Sequence, residues 1–249
     1  MHEVIRDIYA HADDRLLMSA ISPAEGEFLQ ELIRNNNCRR TVEVGCGFGL
    51  SSLFICEALS DTAGSSHVMI DPFQEMEFKN RGIRNLERAG FSFFRLIEEP
   101  SELALPSLLR EREQFDFAFI DGLHTFDHTL LDFFYLSRLI KVGGIVVFDD
   151  TSMPAVNKAV KYISTFPCYR LVGSVSGRGW RRRLLNAGKR MIAALLLPVT
   201  AVVGKALSSE FLDGSLIRSQ SIRALDYSTM VAFQKISEDQ RDTTWYEYF

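Results

Sequence analysis

Residues 42–51 read Val-Glu-Val-Gly-Cys-Gly-Phe-Gly-Leu-Ser, an apolar run that leads directly into three closely spaced glycines. Such a run, followed by glycines and a helix start, is typical of a β-strand that turns sharply into a helix and leaves backbone N–H groups free to meet a ligand. The glycines follow G-x-G-x-G, whereas the dinucleotide-binding fingerprint is G-x-G-x-x-G. The stretch therefore predicts a ligand-binding loop, and its spacing argues against a nicotinamide-dependent oxidoreductase.

Short apolar runs alternate with helical stretches on both sides of this loop, and helical patterns fill, for example, 51–59 and 79–89. Strands that are apolar over their whole length indicate a parallel sheet that helices cover on both faces. The sequence therefore predicts the α/β class. The strand candidates are 41–45, 67–71, 93–97, 115–121, 144–149, 169–175 and 228–236.

Changes in sequence pattern divide the chain into four predicted parts. Residues 1–37 are predicted to form an N-terminal helical cap, in which Ser22-Pro23-Ala24-Glu25 is a helix start. Residues 38–176 are predicted to form the ligand-binding core. A helical insertion is predicted at 177–225, before the last strand, and residues 226–249 return to the sheet as a strand and tail.

The insertion combines positive charge with an apolar segment. It begins Arg178-Gly179-Trp180-Arg181-Arg182-Arg183, and residues 191–204 are almost entirely apolar. A lid or a homo-oligomer contact is the favoured interpretation, and contact of 178–205 with a membrane surface is the alternative. A nucleic-acid contact is less favoured, because aromatic residues other than Trp180 are not interleaved with the basic ones.

Composition limits the class of protein. The net charge of −4 gives the chain no overall basic field, so no nucleic-acid partner is expected. The four cysteines form no C-x-x-C pair, which argues against a disulfide framework or a zinc site. The N-terminus carries acidic residues early, and no stretch reaches the ~18 apolar residues of a spanning helix. A cytoplasmic protein is therefore expected, with peripheral membrane association through 178–205 as a qualification.

Carboxylates end three of the predicted strands. Asp71 ends the second strand, where it can accept hydrogen bonds from the ribose hydroxyls of a nucleoside; Asp121 ends the fourth, and Asp149 and Asp150 end the fifth. Because the carboxyl ends of adjacent parallel strands face one crevice, carboxylates there would repel one another unless a cation lies between them. A hard divalent cation such as Mg²⁺ fits these oxygen ligands, although paired aspartates also form strand-ending turns.

His124 lies three residues after Asp121, on the loop that leaves the fourth strand. An imidazole has a suitable pKa to take the proton of a hydroxyl near neutral pH, so His124 is the predicted general base. The other histidines are expected to be ordinary solvated surface residues: His2, His11, His67 and His128.

In combination, these motifs resemble the class I S-adenosylmethionine-dependent methyltransferases, and specifically the metal-dependent O-methyltransferases of small molecules. Residues 38–175 are similar both to the catechol and caffeoyl-CoA type and to the macrolide-sugar type. The resemblance implies a Rossmann-like, mostly parallel sheet of seven strands that closes with an antiparallel hairpin. It also implies a small-molecule acceptor, with S-adenosylmethionine and Mg²⁺ or another divalent cation as cofactors. Histidine at position 124 is more similar to the macrolide-sugar type, which shifts the expected acceptor toward sugar hydroxyls.

The resemblance further implies roles for individual residues. Segment 98–102 takes the place of the stretch that lines the adenine pocket, but it departs from the family pattern at Glu99, where glycine is common. His124 would take the proton of the acceptor hydroxyl while its oxygen attacks the sulfonium methyl in line. The implied metal ligands are Asp121, Asp149 and Asp150. The implied cofactor-binding residues are Glu43, Gly45, Gly47, Gly49, Ser51, Asp71, Ser101, Glu102 and Asp121.

Two other functions remain open on the sequence. One is a metal-independent methyltransferase of the same fold, in which Asp149 and Asp150 only shape the acceptor pocket. The other is a nucleotide-binding module without catalysis, against which the combination of His124 with the neighbouring acids argues.

Overall fold

Seven strands form a single sheet in the computed structural model of this protein, which describes residues 1–176, 225 and 228–247. Each strand candidate corresponds to one observed strand, and the predicted seven-stranded sheet is confirmed. The strands are β1 (Arg40–Val44), β2 (Ser66–Ile70), β3 (Phe94–Ile97), β4 (Phe115–Ile120), β5 (Ile140–Phe148), β6 (Tyr169–Ser176) and β7 (Ser228–Lys235).

The strand order β3-β2-β1-β4-β5-β7-β6 determines where a ligand can bind. Neighbouring strands from β3 to β5 pair in parallel, whereas β7 runs antiparallel to both β5 and β6. The mostly parallel sheet with a closing antiparallel hairpin is thereby confirmed. The chain order reverses between β1 and β4, and ligands of open α/β sheets bind outside the carboxyl ends of strands at such a reversal.

Helices cover both faces of the sheet, as predicted. Buried residues of α1 to α5 form one apolar core with the sheet, and buried residues of α6 to α8 form a second core on the other side. The described helices are α1 (Glu3–Ala10), α2 (Asp14–Ser19), α3 (Pro23–Asn35), α4 (Leu50–Leu59), α5 (Arg81–Arg88), α6 (Ser101–Arg110), α7 (Phe126–Leu139) and α8 (Pro154–Ile163).

The predicted helix start at Ser22 is confirmed as a capping box. The Ser22 hydroxyl accepts a hydrogen bond from the Glu25 N–H, and the Glu25 carboxylate accepts one from the Ser22 N–H at 2.7 Å. Pro23 occupies the first helical position, where its missing N–H costs nothing. The Thr229 hydroxyl donates to the other oxygen of Glu25, so this residue also ties α3 to the start of β7.

The predicted insertion lies outside the described residues, apart from the buried Leu225 at its end. Its interpretation as a lid, an oligomer contact or a membrane contact therefore stays a prediction. Across residues 1–176, 225 and 228–247, no helix combines the length and apolar character needed to cross a membrane.

Candidate active site

The glycine loop begins where β1 passes very close to the chain leaving β4. Gly45 has φ +88°, and a Cβ built on it would lie 2.0 Å from the Asp121 carbonyl oxygen. Only glycine fits such an approach, and its positive φ disfavours any L side chain as well. Asp121 N–H donates to the Val44 carbonyl at 2.9 Å, which fixes the two strand ends side by side. Gly45 therefore brings the loop and Asp121 to one site.

Asp71, at the end of β2, holds the loop from the other side. Its Oδ2 accepts hydrogen bonds from the N–H groups of Cys46 at 3.1 Å and Gly47 at 2.8 Å. The Gln74 amide nitrogen donates both to this oxygen at 2.8 Å and to the Gly47 carbonyl at 2.7 Å. Oδ1 accepts only the Phe73 N–H among the described residues, so it retains capacity to accept from a ligand.

The helix that follows the loop presents an open N-terminus. Gly49 is the N-cap residue of α4, and no side chain caps this helix. Leu50 and Ser51, the first two helical residues, both line the cavity described below. Unpaired N–H groups and the helix dipole make such an end favourable for an anionic ligand group.

A cavity of about 650 Å³ opens at this edge of the sheet, next to the loop. Ten of the predicted site residues line it: Gly45, Gly47, Ser51, Asp71, Ser101, Glu102, Asp121, His124, Asp149 and Asp150. Glu43 and Gly49 are not among its described lining residues. Gly49 instead lies against the backbone of Gly82, and Glu43 is buried beneath the loop. The predicted direct contact between Glu43 and a cofactor therefore needs correction, because this side chain turns into the core.

One group of side chains within the cavity wall fits a cation. Nε2 of His124 lies 3.1 Å from Oδ1 of Asp121 and 3.3 Å from Oδ2 of Asp150. One donor atom from each of the three residues falls within 4.8 Å of the others. Asp150 has φ +48°, a left-handed conformation that aspartate tolerates better than most residues and that often occurs at functional sites.

Asp149 lies outside this close group, in contrast to the metal set of Asp121, Asp149 and Asp150 that the sequence predicts. Its Oδ1 accepts the N–H of Asp150 at 2.8 Å, and its side chain is buried. Burial raises the pKa of Asp149, and the negative charges of Asp121 and Glu25 raise it further. In the structure, His124 and not Asp149 is therefore the third member of the group with Asp121 and Asp150.

Electrostatics within the group favour a retained proton. Burial raises the pKa of Asp121 to about 6, against the opposing effect of its hydrogen bond with His124. The same hydrogen bond raises the pKa of His124 above its ordinary value, and burial only partly offsets it. The group can therefore hold either a proton on the imidazole or a bound cation next to two carboxylates.

Several lining residues carry no sequence signal for a site. Glu25 shows only a capping motif, and Thr229 has no motif at all, yet both line the cavity beside Asp149. The aromatic rings of Phe48 and Phe78 line the cavity near the loop. The two rings pack edge to face, with their centroids 5.2 Å apart. The remaining unpredicted lining includes Ser19, Ala20, Ile21, Phe73, Leu123 and Met153.

One expectation about histidines is wrong. His67 is predicted to be a solvated surface residue, but it lies on β2 with a fully buried ring between Thr41 and Glu43. The error arises because a single polar residue in an apolar strand gives no sign of the partners that neighbouring strands provide.

The fold and the site together agree with one class of protein. Residues 42–151 match a family model described as a methyltransferase domain. The match spans the glycine loop, Asp71, the close acidic group and every strand from β2 to β5. Residues 42–151, a little under half of the chain, are thus similar to a methyltransferase domain.

Curated relatives are similar to this chain over part of its length. The caffeoyl-CoA O-methyltransferase of Stellaria longipes is 31% identical over 136 residues, which are 52% of this chain and 53% of that protein. The tapetum-specific methyltransferase 1 of Arabidopsis thaliana is 29% identical over 157 residues, 60% of this chain and 64% of that protein. The chain therefore spans between about half and two thirds of these relatives.

Solved structures with the same fold have diverged further in sequence. The O-methyltransferase from Bacillus cereus in complex with SAH has a TM-score of 0.61 at 19% identity and covers 73% of this chain and 87% of its own. The O-methyltransferase TomG from Streptomyces achromogenes, in complex with SAM, has a TM-score of 0.61 at 23% identity. The match covers 73% of this chain and 86% of that structure's chain. At these identities the likeness establishes the fold.

Proposed function

We propose that this protein is an S-adenosylmethionine-dependent O-methyltransferase that acts on a hydroxyl group of a small molecule. The observation that carries the proposal is the close group of Asp121, His124 and Asp150, which shares one cavity with the glycine loop. A nucleotide-binding module without catalysis would not need a base next to the ligand cavity. The O-methyltransferase names among the relatives and structural neighbours support the same conclusion.

The cofactor lies along the loop in this proposal. The ribose hydroxyls donate to Asp71, whose Oδ1 has free acceptor capacity, and Ser101 and Glu102 line the adenine end. The carboxylate of the methionine portion faces the open N-terminus of α4 at Leu50 and Ser51, where the helix dipole favours negative charge. When bound, S-adenosylmethionine supplies an electrophilic methyl group to the acceptor.

The acceptor lies at the other end of the cavity, beside His124. Nδ1 of His124 takes the proton of the acceptor hydroxyl while Nε2 keeps its contacts with Asp121 and Asp150, whose carboxylates stabilise the positive charge that the ring gains. The exposed side chains of Leu123 and Met153 border the same end and can pack against an apolar part of the acceptor. Holding the hydroxyl oxygen in line with the methyl group supplies the rest of the acceleration.

The same group fits a divalent cation. Asp121 and Asp150 offer hard oxygen ligands, His124 offers a nitrogen ligand, and their donor atoms are close enough to share one ion. A cation such as Mg²⁺ would acidify and orient the acceptor hydroxyl when bound. The direct contacts of His124 with both carboxylates also favour a second candidate, a metal-independent methyltransferase in which these residues alone manage the proton.

Two measurements test the proposal. Isothermal titration calorimetry should show binding of S-adenosylhomocysteine, and a radiolabelled methyl group should pass from S-adenosylmethionine to members of a library of sugar, phenol and catechol hydroxyls. Binding without transfer to any acceptor would support the non-catalytic module. Tight binding of NAD without affinity for S-adenosylhomocysteine would overturn the proposal.

A further inference from the structure

We infer that His67 is a positioning residue for the cofactor, which acts through Glu43 and Ser52 on the first turn of α4. The inference rests on the proposed function, since the ligand is an S-adenosyl compound. His67 touches neither the cavity nor the acidic group, and the mechanism above does not use it. Its effect would reach the ligand only through the buried contacts described next.

A continuous set of polar side chains runs beneath the glycine loop. Nδ1 of His67 lies 2.8 Å from the Thr41 hydroxyl, and its Nε2 lies 3.4 Å from a carboxylate oxygen of Glu43. The Ser52 hydroxyl donates a hydrogen bond to that same oxygen and lies 3.5 Å from the Cys46 thiol. These five residues come from β1, β2, the loop and α4, and all five are buried.

The register of the strands explains why these side chains meet. Thr41 pairs with His67 across the parallel β1–β2 ladder, and Glu43 lies two residues further along β1, on the same face. That face packs against α4, whose third residue is Ser52. The polar set therefore lies inside the apolar layer between the sheet and the helix that carries the open N-terminus.

A carboxylate in such a layer is stable only with donors around it. Glu43 accepts a hydrogen bond from Ser52, and Nε2 of His67 lies 3.4 Å from the same oxygen without forming a hydrogen bond. The second oxygen of Glu43, Oε2, accepts no hydrogen bond from the described residues. Removing one partner of a buried charged group costs far more than removing both. Without His67, Glu43 would turn toward other donors, and Ser52 would lose its fixed acceptor.

The consequence falls on one end of the ligand. Ser52 anchors the first turn of α4 to β1, and this turn provides Leu50 and Ser51 to the cavity for the methionine carboxylate. The nucleoside end depends on Asp71, whose donors are the backbone N–H groups of Cys46, Gly47 and Phe73 and the side-chain amide of Gln74. Loss of His67 is thus expected to weaken binding of the amino-acid portion of the ligand selectively, with little effect on binding of the nucleoside.

Two ligands separate these ends. S-adenosylhomocysteine carries the amino-acid portion, whereas 5′-methylthioadenosine has the same nucleoside without it. His67→Leu should weaken the binding of S-adenosylhomocysteine at least about tenfold in calorimetry and leave the affinity for 5′-methylthioadenosine within about twofold. His67→Gln keeps a side-chain N–H donor and should recover most of the loss. His11→Leu, on the exposed C-terminus of α1, is the matched control.

The outcomes decide between positioning and a purely structural role. Circular dichroism checks that each variant is folded; if His67→Leu does not fold, Ser52→Ala carries the same test with a smaller change. An equal loss for both ligands, or no loss for either, in a folded variant would overturn the inference. If the wild-type protein binds neither ligand, the proposed function fails and this inference fails with it.

Discussion

Nε2 of His124 lies 3.1 Å from Oδ1 of Asp121, and the hydrogen bond between them joins the proposed general base to the strand end that contacts the glycine loop. A carboxylate in this position orients the imidazole and stabilises the charge that it gains with a proton. Because Asp121 also faces Gly45, the same residue fixes the distance between the proton acceptor and the cofactor loop. In the proposed mechanism, this arrangement holds proton transfer and methyl transfer in one geometry.

Replacement of His124 tests this relationship most directly. His124→Ala should lower the turnover number by about 10²–10⁴-fold, the usual effect of losing a general base. Calorimetry should show nearly unchanged affinity for S-adenosylhomocysteine, since the ring lies at the acceptor end. His11→Ala, at an exposed histidine, serves as the control. A His124→Ala enzyme that keeps most of its turnover would show that another group takes the proton.

Metal dependence separates the two candidate mechanisms. EDTA should abolish turnover and Mg²⁺ or Mn²⁺ should restore it, while S-adenosylhomocysteine binding survives, because the donor set lies at the acceptor end of the cavity. Asp150→Asn should raise the metal concentration needed for half-maximal activity more than Asp149→Asn does, since Asp149 lies outside the close group. Full activity in EDTA would favour the metal-independent methyltransferase.

The sequence predicts the fold well because its signals are local. Each strand is an apolar run, and strand candidates end within a residue or two of the observed strands, except that β5 starts four residues earlier than predicted, at Ile140. The missed residues include the exposed Lys141, Val142 and Gly143, which lack the burial that an apolar pattern reports. The closing antiparallel hairpin follows from the family resemblance and not from any residue pattern.

Site residues are likewise predictable from the sequence only where the signal is local. The glycine loop and Asp71 carry their own spacing, so sequence alone finds them. Glu25 and Thr229 meet across 204 residues, and no local pattern records such a contact. His67 and Glu43 show the same limit, because the β1–β2 register that places them on one face exists only in the folded sheet. Residues that act through partners distant in sequence therefore cannot be predicted from local patterns.

Asp71 is predicted to serve both the loop and the ligand. Asp71→Asn replaces an acceptor with an amide whose NH₂ would compete with the N–H groups of Cys46 and Gly47. Affinity for S-adenosylhomocysteine should fall by about 1.5–3 kcal/mol, the usual value for hydrogen bonds to a charged group. Calorimetry measures the change, with Asp61→Asn on an exposed turn as the control. Unchanged affinity would mean that the ribose binds elsewhere.

Packing between α3 and α4 gives a prediction on stability. A Cβ built on Gly26 would lie 2.3 Å from Cε2 of Phe54, so the helices approach too closely for any side chain there. Alanine usually stabilises a helix interior by about 1 kcal/mol relative to glycine, but overpacking costs about 1–3 kcal/mol. Gly26→Ala should therefore lower the free energy of unfolding, measured in urea.

A double-mutant cycle identifies the cause of that loss. Phe54→Leu removes the ring edge, so Gly26→Ala should cost less in the Phe54→Leu background than in the wild type. Equal costs in both backgrounds would place the strain somewhere other than this contact.

Asp116 predicts a pH-dependent contribution to stability. Its Oδ2 accepts the N–H groups of Arg39 and Arg40, each at 2.9 Å, and its Oδ1 accepts the Lys141 ammonium at 2.9 Å. Burial raises the pKa of Asp116, but these hydrogen bonds outweigh it and hold the pKa below the ordinary value of 3.8. The carboxylate therefore binds its proton less readily in the folded state than in the unfolded state.

The sign of the effect follows from linkage. The stabilisation is fully present above the unfolded value of 3.8 and is lost as pH falls through the lower folded pKa. Asp116→Asn should therefore lower the free energy of unfolding by about 0.5–1.5 kcal/mol at pH 7, the usual net value of a hydrogen bond, because two of the three donors are exposed and the third is only partly buried. Urea titrations of both proteins from pH 7 down to the acid limit of folding should show the difference shrinking only below pH 3.8. A difference that stays constant to the lowest pH would mean that Asp116 stabilises the β1–β4 contact through packing and not through its charge.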